Sequence, residues 1–248
     1  MTKALRMIAT VVLIAAIAIS GWFVMQIQEK YNAEKDKHHE VSSFKPPPPA
    51  VVDADAGEPE DFVNQKILDL KEKYKDAVGW IEIPHTGIDY PFVQVDNNRY
   101  YLDRDIDENY SAAGTLFMDC DNDPGFTDFN TVIYGHHMKN ETMFGPINRF
   151  NDEAFFKTNT KGTIFLADKT FSIDFFAFMI VHTDDTAVYD NPISSVMKRE
   201  TLDYIQQNAR YYRDIGVTQK DSIVTLSTCA YEFKDARMLL VGKITQYQ

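Results

Sequence analysis

Cysteine is scarce in this chain: only Cys120 and Cys229 occur among its 248 residues. Two cysteines are too few to indicate a domain held together by a disulfide framework. Basic residues are also few, since 25 lysines and arginines stand against 37 aspartates and glutamates, which gives a formal net charge of −12. This acidic balance argues against tight binding to nucleic acid or to an anionic membrane surface.

The N-terminal region contains a run without any formal charge, residues 7–25. A helix of that length spans about 28 Å, close to the hydrocarbon thickness of a bilayer. Because Lys3 and Arg6 precede the run, residues 1–26 are predicted to form a membrane anchor with a cytoplasmic N-terminus and an external C-terminal part. A cleaved signal peptide is the competing interpretation, since residues 16–18 resemble a small-residue cleavage site; the length of the apolar run favours the anchor.

Residues 27–60 follow as a predicted spacer between the anchor and the rest of the chain. They carry mixed charges and four consecutive prolines at 46–49, and proline-rich segments are extended and semi-rigid. Residues 61–248 then form one stretch of about 190 residues, which is long enough for a single domain with its own core.

Apolar periodicity in residues 61–248 predicts a mainly β fold. Two amphipathic helices are predicted, one from Asp61 to Val78 and one between Ser194 and Asp214, because their apolar residues recur at helical spacing. Eight short strand-like segments with so few helices favour a barrel or a sandwich. The predicted strands lie at 80–83, 87–95, 114–118, 131–135, 163–167, 171–182, 222–229 and 237–246.

The last two predicted strands place a cysteine and an arginine opposite each other. Residues 230–236 form the loop of a predicted hairpin, so Cys229 at the end of one strand faces Arg237 at the start of the next. Directly opposed side chains share one face, with Cβ atoms about 5 Å apart. A cysteine attacks as the thiolate, and Arg237 keeps its positive charge at every relevant pH. Arg237 is therefore expected to support a thiolate and to donate hydrogen bonds to an oxyanion.

An imidazole is available from residues 134–137, whose sequence is Tyr-Gly-His-His. His136 is the candidate general acid and base, which would protonate a leaving amine and later deprotonate an incoming nucleophile. Taken alone, a cysteine at a strand end or a histidine after a glycine is usually structural. Together with Arg237, the two residues indicate covalent catalysis by a cysteine.

With these motifs the chain resembles the sortases, the membrane-anchored cysteine transpeptidases of Gram-positive bacteria, and within them class B. The resemblance covers about residues 60–246, with its motifs in the family's order. It implies an eight-stranded sortase-type β-barrel with an N-terminal helix and a helix before the cysteine-bearing strand. It also implies catalytic roles for His136, Cys229 and Arg237. The matching motifs are Gly79-Trp80-Ile81-Glu82-Ile83-Pro84, Asp89-Tyr90-Pro91 leading to Tyr101-Leu102, Tyr134-Gly135-His136-His137-Met138, and Thr225-Leu226-Ser227-Thr228-Cys229 with Arg237.

The resemblance further implies a peptide pocket, and four residues match positions that line it. Asn98 and Leu102 resemble class B positions in the pocket for the sorting peptide. Ser227, two residues before the nucleophile, resembles a serine that contacts substrate near the scissile bond, and Tyr189 resembles a pocket aromatic. For each of the four, an ordinary barrel or surface position is the alternative. His137 is interpreted as a neighbour that helps to shape the loop.

Transpeptidation is the activity that the resemblance implies. Cys229 attacks the carbonyl of a threonine in a C-terminal sorting signal, and an amine of a peptidoglycan precursor resolves the thioester. The implied partners are surface proteins that carry such a signal and the peptidoglycan amine, and no metal or organic cofactor is required. Class B enzymes often accept signals based on Asn-Pro. The implied location is the cell membrane, with an extracellular catalytic domain.

Two other functions stay open from the sequence. A pilus-polymerising sortase would share the chemistry but would accept a pilin lysine as the nucleophile. A membrane-anchored binding protein without catalysis would be unaffected by the loss of Cys229.

The acidic residues Asp119, Asp121 and Asp123 invite comparison with a calcium-binding loop. The pattern fails, because Pro124 stands where a glycine is required for the turn and the closing glutamate is missing. No metal site is therefore predicted. Cys120 has neither a cation nor a histidine beside it in the sequence, so it is interpreted as an ordinary strand-end residue.

Overall fold

The computed structural model describes residues 3–48, 62–230 and 234–246. Contacts divide the chain into two compact units, with the boundary between Ser43 and Phe44. The first unit is built on one α-helix, α1 (Lys3–Ser42). The predicted spacer is thus helical as far as Ser42, because the segment before the prolines is rich in Glu, Lys, Ala and Gln, which favour helices. Residues 49–60 of the predicted spacer lie outside the described residues.

Among the residues that the structure describes, no helix is long and apolar enough to cross a membrane. The membrane span predicted for residues 7–25 gains no support from that finding.

The second unit begins earlier than the predicted domain, since it includes Phe44 and Lys45. The Lys45 ammonium lies 2.9 Å from a carboxylate oxygen of Glu82 and 2.7 Å from one of Asp89. The ring of Phe44 packs edge-on against Tyr74, with centroids 6.1 Å apart. Phe44 and Lys45, from the middle of the predicted spacer, therefore pack against the domain.

Nine strands are present in the described part of the second unit, and eight of them close into a barrel. The order around the barrel is β1-β2-β3-β4-β8-β9-β6-β5, and it closes because β5 pairs with both β6 and β1. The short β7 pairs with β6 outside this ring. The eight-stranded barrel is confirmed. The strands are β1 (Ala77–Ile83), β2 (Ile88–Val93), β3 (Leu116–Met118), β4 (Asn130–Tyr134), β5 (Lys161–Phe165), β6 (Thr170–His182), β7 (Tyr211–Tyr212), β8 (Ser222–Cys229) and β9 (Ala236–Gln246).

The helices of the second unit are shorter than the sequence predicts. Helix α2 (Gln65–Lys73) starts where the Asn64 side chain accepts a hydrogen bond from the Ile67 amide, and it ends because the chain enters β1 at Ala77. Helix α4 (Ser195–Asn208) is capped by Ser194 and ends before β7, which the sequence analysis missed. Asp61 lies outside the described residues. The remaining helices are α3 (Glu153–Thr158) and 3₁₀ turns at Tyr100–Leu102, Gly145–Asn151 and Thr186–Val188.

Alternation along the strands separates two apolar clusters. The larger cluster takes residues from all eight barrel strands, Val224 and Leu226 of β8 among them, so it fills the barrel interior. Ile223 belongs instead to a second cluster with Ile205 of α4 and Leu239 of β9, on the outer face. Since successive side chains point to opposite faces, Cys229 shares the outer face with Ile223.

The buried side-chain amide of Asn130 links the segment before α4 to this outer face. Asn130, which is 1% exposed, donates from Nδ2 to the carbonyl oxygen of Val188 at 2.9 Å. Its Oδ1 accepts a hydrogen bond from the Thr225 hydroxyl at 2.8 Å. The turn that carries Tyr189 is therefore tied to β4 and β8 at once.

Candidate active site

The site lies where two parallel strands end side by side. β4 pairs with β8 in parallel, with Asn130 opposite Ile223 and Tyr134 opposite Ser227. The ladder continues one step further, because the Gly135 amide donates to the Ser227 carbonyl at 3.1 Å. Parallel strands finish at the same edge of a sheet. The residues that follow β4 and the last residues of β8 are therefore neighbours.

Cys229 and Arg237 face each other at this edge. They are directly opposed in the antiparallel pairing of β8 with β9, as the sequence analysis predicts. An Arg237 guanidinium nitrogen lies 3.3 Å from the Cys229 sulfur and donates a hydrogen bond to it. Both side chains are partly buried, so the contact is only partly screened by water. The arrangement supplies a sulfur nucleophile with a cationic donor beside it.

His136 follows β4 by two residues and turns its ring toward the 3₁₀ turn at Tyr100–Leu102. Its Nε2 lies 2.6 Å from the carbonyl oxygen of Leu102. A carbonyl only accepts hydrogen bonds, so Nε2 must carry the proton. In the neutral imidazole, Nδ1 is then the nitrogen with the free lone pair, which is the form a general base needs.

His137 contacts the backbone of Cys229. Its Nδ1 donates to the carbonyl oxygen of Cys229 at 2.8 Å. The sequence analysis gave His137 only a role in shaping the loop. The contact adds that the loop after β4 is bonded directly to the residue that ends β8.

Tyr189 and Ser227 meet beside the cysteine. The Tyr189 hydroxyl and the Ser227 hydroxyl are 3.1 Å apart, and Ser227 is only 2% exposed. Burial raises the pKa of the Tyr189 phenol above its usual value, so it stays protonated at neutral pH. The Tyr189 ring also stacks on Tyr134, with centroids 6.1 Å apart and planes 16° apart. The side chains of Tyr134, Tyr189 and Ser227 thus form one wall next to Cys229.

Comparison with known proteins places this geometry in a family. The model of the sortase domain matches residues 81–245. The chain belongs to the sortase family. It is 29% identical to sortase B of Listeria monocytogenes over 95% of this chain and 94% of that protein.

Solved structures give the same class. A sortase B from Bacillus anthracis superposes with a TM-score of 0.75 at 30% identity, over 87% of this chain and 98% of that one. A structure of a Staphylococcus aureus sortase B–substrate complex superposes with a TM-score of 0.71 at 25% identity, over 90% of this chain and 94% of that one. This sortase is therefore a member of class B.

Asn98, another candidate from the sequence, is linked to Tyr134 of this wall through Asp119. The sequence analysis assigned neither Tyr134 nor Asp119 to the site. The Asn98 Nδ2 donates to a carboxylate oxygen of Asp119 at 3.0 Å. The Tyr134 hydroxyl donates to the same oxygen at 2.7 Å. Asp119 was considered only for calcium, and Tyr134 only as part of a motif. The sequence signal that could have identified them was their position, since Asp119 directly follows β3 and Tyr134 ends β4.

Leu102 lies beside His136 through its backbone carbonyl, and the residue is 41% exposed. The structure thus brings Leu102 beside His136, Ser227 and Tyr189 beside Cys229, and Asn98 beside Tyr134 through Asp119.

Asp119, Cys120 and Asp121 form the one cluster of possible metal ligands among the described residues, with ligand atoms within 4.8 Å of one another. Asp123 does not belong to this cluster; its carboxylate accepts hydrogen bonds from the Gly125 amide and the Thr127 hydroxyl. Partial burial and the two neighbouring carboxylates raise the pKa of the Cys120 thiol. A raised thiol pKa disfavours the thiolate, so Cys120 is a poorer nucleophile than an ordinary cysteine. The sequence analysis interpreted Cys120 as an ordinary strand-end residue.

Gly135 lies between the end of β4 and His136, at a position that neighbouring side chains crowd. A Cβ at this position would lie 2.3 Å from a Leu116 methyl carbon and 2.7 Å from the Phe144 ring. Both neighbouring side chains are fully buried, so neither has room to move away. The absence of a side chain at Gly135 is therefore what permits the path to His136.

Gly135→Ala is expected to lower the free energy of unfolding by about 1 to 3 kcal/mol, because the added methyl overpacks the core. Urea unfolding of the full-length protein in detergent measures the effect. Gly125→Ala is the matched control, since its Cβ would meet nothing closer than 3.4 Å. Equal midpoints for the two variants would show that the crowding at Gly135 is not a constraint.

Proposed function

We propose that this sortase is a cysteine transpeptidase that cleaves a C-terminal sorting signal after threonine and transfers the protein to a peptidoglycan amine. Cys229 is the nucleophile, His136 the general acid and base, and Arg237 the donor to the oxyanion. The observation that carries the proposal is the 3.3 Å hydrogen bond from Arg237 to the Cys229 sulfur.

In the first step the sulfur of Cys229 attacks the threonine carbonyl carbon, and the carbonyl oxygen becomes an oxyanion. Arg237 has more than one N–H group, so it is able to contact both the sulfur and this oxygen. A preorganised cationic donor stabilises charge that develops only in the transition state. The orientation of Cys229 is assisted by His137, which holds the carbonyl of the same residue.

In the second step the tetrahedral intermediate collapses, and the C–N bond to the leaving amine breaks. His136 in its protonated form donates a proton to that amine, and the thioester on Cys229 remains. The neutral His136 then takes a proton from the incoming amine, which attacks the thioester carbonyl carbon. The C–S bond breaks, and Cys229 leaves as the thiolate beside the protonated His136. The Leu102 carbonyl supports this cycle, because it keeps Nε2 protonated and leaves Nδ1 for proton exchange.

The partners of the sortase family are surface proteins with sorting signals and cell-wall precursors. For this chain we propose that the signal lies against the wall formed by Tyr134, Tyr189 and Ser227, with Asn98 and Leu102 as further lining. A sortase B of Staphylococcus aureus with this fold forms a complex with a substrate, which supports a substrate site on this fold. A pilin lysine as acceptor would give the same acyl-enzyme and a different final product.

The sortase family is associated with the cell surface, and we propose that residues 7–25 hold this member at a membrane. The support comes from the lack of formal charge in the run and from exposed apolar side chains along α1. More than half of each of Val11, Leu13, Trp22 and Phe23 is exposed. So many large apolar side chains on one element indicate a surface that a lipid environment would cover.

Cys229→Ala is expected to abolish cleavage of a panel of quenched fluorescent peptides, which includes Asn-Pro based and Leu-Pro-any-Thr-Gly signals. Wild-type protein should also show an intact mass increased by the acyl fragment, located on Cys229. Cys120→Ala is the matched control and should retain cleavage, because its thiol is not part of the proposed site. Cleavage that survives in Cys229→Ala would refute the nucleophile, and cleavage lost only in Cys120→Ala would reverse the assignment.

Arg237→Lys is expected to lower kcat/KM by about 100-fold, the usual scale for the loss of an oxyanion donor. Lysine keeps the charge but lacks the planar fork that reaches both the sulfur and the oxyanion. The same peptide assay measures the loss, with the exposed Arg99→Lys as control. Wild-type activity in Arg237→Lys would mean that only the charge matters.

The paired change Leu13→Glu and Ile17→Glu is expected to move the protein from the membrane fraction to the soluble fraction of expressing cells. Each acidic side chain costs about 3 kcal/mol at the centre of a spanning helix. The pair Val63→Glu and Ile193→Glu places the same charges on exposed positions outside α1 and should leave the distribution unchanged. Recovery of the wild-type protein in the soluble fraction would refute the anchor.

A further inference from the structure

Asp119 joins two side chains of the proposed pocket that come from different parts of the chain. One carboxylate oxygen accepts hydrogen bonds from Asn98 at 3.0 Å and from the Tyr134 hydroxyl at 2.7 Å. The other oxygen accepts the backbone amide of Asp121 at 3.0 Å. Hydrogen bonds to an ionised carboxylate are stronger than those between neutral groups. Asp119 is thus the common acceptor for Asn98 and Tyr134.

The orientation of the Asn98 amide is fixed from both ends. Its Nδ2 donates to Asp119, and its Oδ1 accepts the backbone amide of Cys120 at 2.8 Å. A flip of the amide would set donor against donor at Cys120 and acceptor against acceptor at Asp119. One Nδ2 hydrogen and one Oδ1 lone pair are left over, and these are what Asn98 can offer to a peptide.

The position of Tyr134 is fixed by its hydroxyl and by stacking. Its ring lies between Phe117, at a centroid distance of 5.2 Å, and Tyr189, at 6.1 Å. Burial and the hydrogen bond to Asp119 raise the pKa of the Tyr134 phenol, so it remains a donor at neutral pH. Tyr189 in turn contacts Ser227, two residues before Cys229. A continuous row of contacts therefore runs from Asn98 to the strand that carries the nucleophile.

We propose that Asp119 is a positioning residue that fixes Asn98 and Tyr134 as walls of the peptide pocket. This inference rests on the proposed function, since it concerns the same site. Its contacts are with Asn98 and Tyr134, whereas the Cys229 sulfur accepts its hydrogen bond from Arg237. Asp119 therefore acts on the binding of the sorting peptide, whereas the chemical steps depend on His136, Cys229 and Arg237.

The position requires a carboxylate, because the three groups that bind its side-chain oxygens are all donors. An asparagine has one acceptor oxygen and one NH₂ group. In one orientation the NH₂ group of the substituted side chain would face the Asn98 amide and the Tyr134 hydroxyl, and in the other it would face the Asp121 amide. Asp119→Asn therefore leaves at least one of these donors without an acceptor, and it removes the charge that strengthens the hydrogen bonds to Asn98 and Tyr134. The side-chain volume changes very little.

Asp119→Asn is expected to raise KM for the fastest-cleaved peptide of the panel about tenfold and to change kcat by less than about threefold, the pattern of lost uniform binding. Asp121→Asn removes the same charge from an exposed neighbour and should leave both constants unchanged. Tyr134→Phe should raise KM by a smaller factor. The double variant Asp119→Asn with Tyr134→Phe should be no worse than Asp119→Asn alone, because both remove the same contact.

A measurement of peptide binding to a variant that lacks the Cys229 thiol distinguishes this inference from the proposed function. Fluorescence anisotropy of the labelled panel peptides is measured on Cys229→Ala with and without Asp119→Asn, and the added change should weaken binding about tenfold. Alkylation of Cys229 by iodoacetamide, followed by peptide mass, should proceed at the wild-type rate in Asp119→Asn.

Three results would overturn the role of Asp119. They are an unchanged KM and Kd, a fall in kcat with no effect on binding, or a loss of thermal stability that Asp121→Asn does not share. A wild-type chain that cleaves no peptide but binds one more weakly in Asp119→Asn would refute the proposed function and still support the positioning role.

Discussion

The candidate site lies at one edge of the barrel because β4 and β8 are parallel neighbours. Parallel pairing makes both strands end at one edge, so the residues after Tyr134 meet the end of β8 at Cys229. The antiparallel partner β9 then starts at that edge and presents Arg237 opposite the cysteine. A crossover between residues 134 and 222 is needed for this order, and it carries Tyr189 and α4. The long intervening segment thus supplies the cover of the site as well as the connection.

The outer face of β8 is unusual because its buried residues near the edge are polar. Thr225 and Ser227 are 0% and 2% exposed, on the face that further back carries Ile223. A buried hydroxyl without a partner costs about 1 to 3 kcal/mol. The Thr225 hydroxyl is bonded to Asn130 and the Ser227 hydroxyl to Tyr189, so both buried groups have partners and Tyr189 is bonded to β8. The need to satisfy these groups determines the shape of the pocket.

The local sequence pattern was enough to predict most of the barrel, and it also predicted which side chains meet at the candidate site. The alternation in β8 and β9 predicts that Cys229 faces Arg237, and the pairing register agrees. Helix ends were predicted less well, because the apolar spacing near Val78 suits either a helix or the start of β1. The role proposed for Asp119 could not be predicted from the sequence, since its partner Asn98 lies 21 residues earlier in the chain. Only the parallel and antiparallel pairings bring such residues together.

The contacts around the site fall into two groups with different origins. Cys229 is held by strand pairing, by Arg237 at its sulfur and by His137 at its carbonyl, and these contacts follow from the barrel itself. Asn98 and Tyr134 are held by side-chain hydrogen bonds to a single carboxylate. Changes to the second group leave the strand pairing intact. The two groups meet at Ser227, which pairs with Tyr134 and contacts Tyr189, so Ser227 is where a change in the peptide-binding wall would reach the strand that carries the thiol.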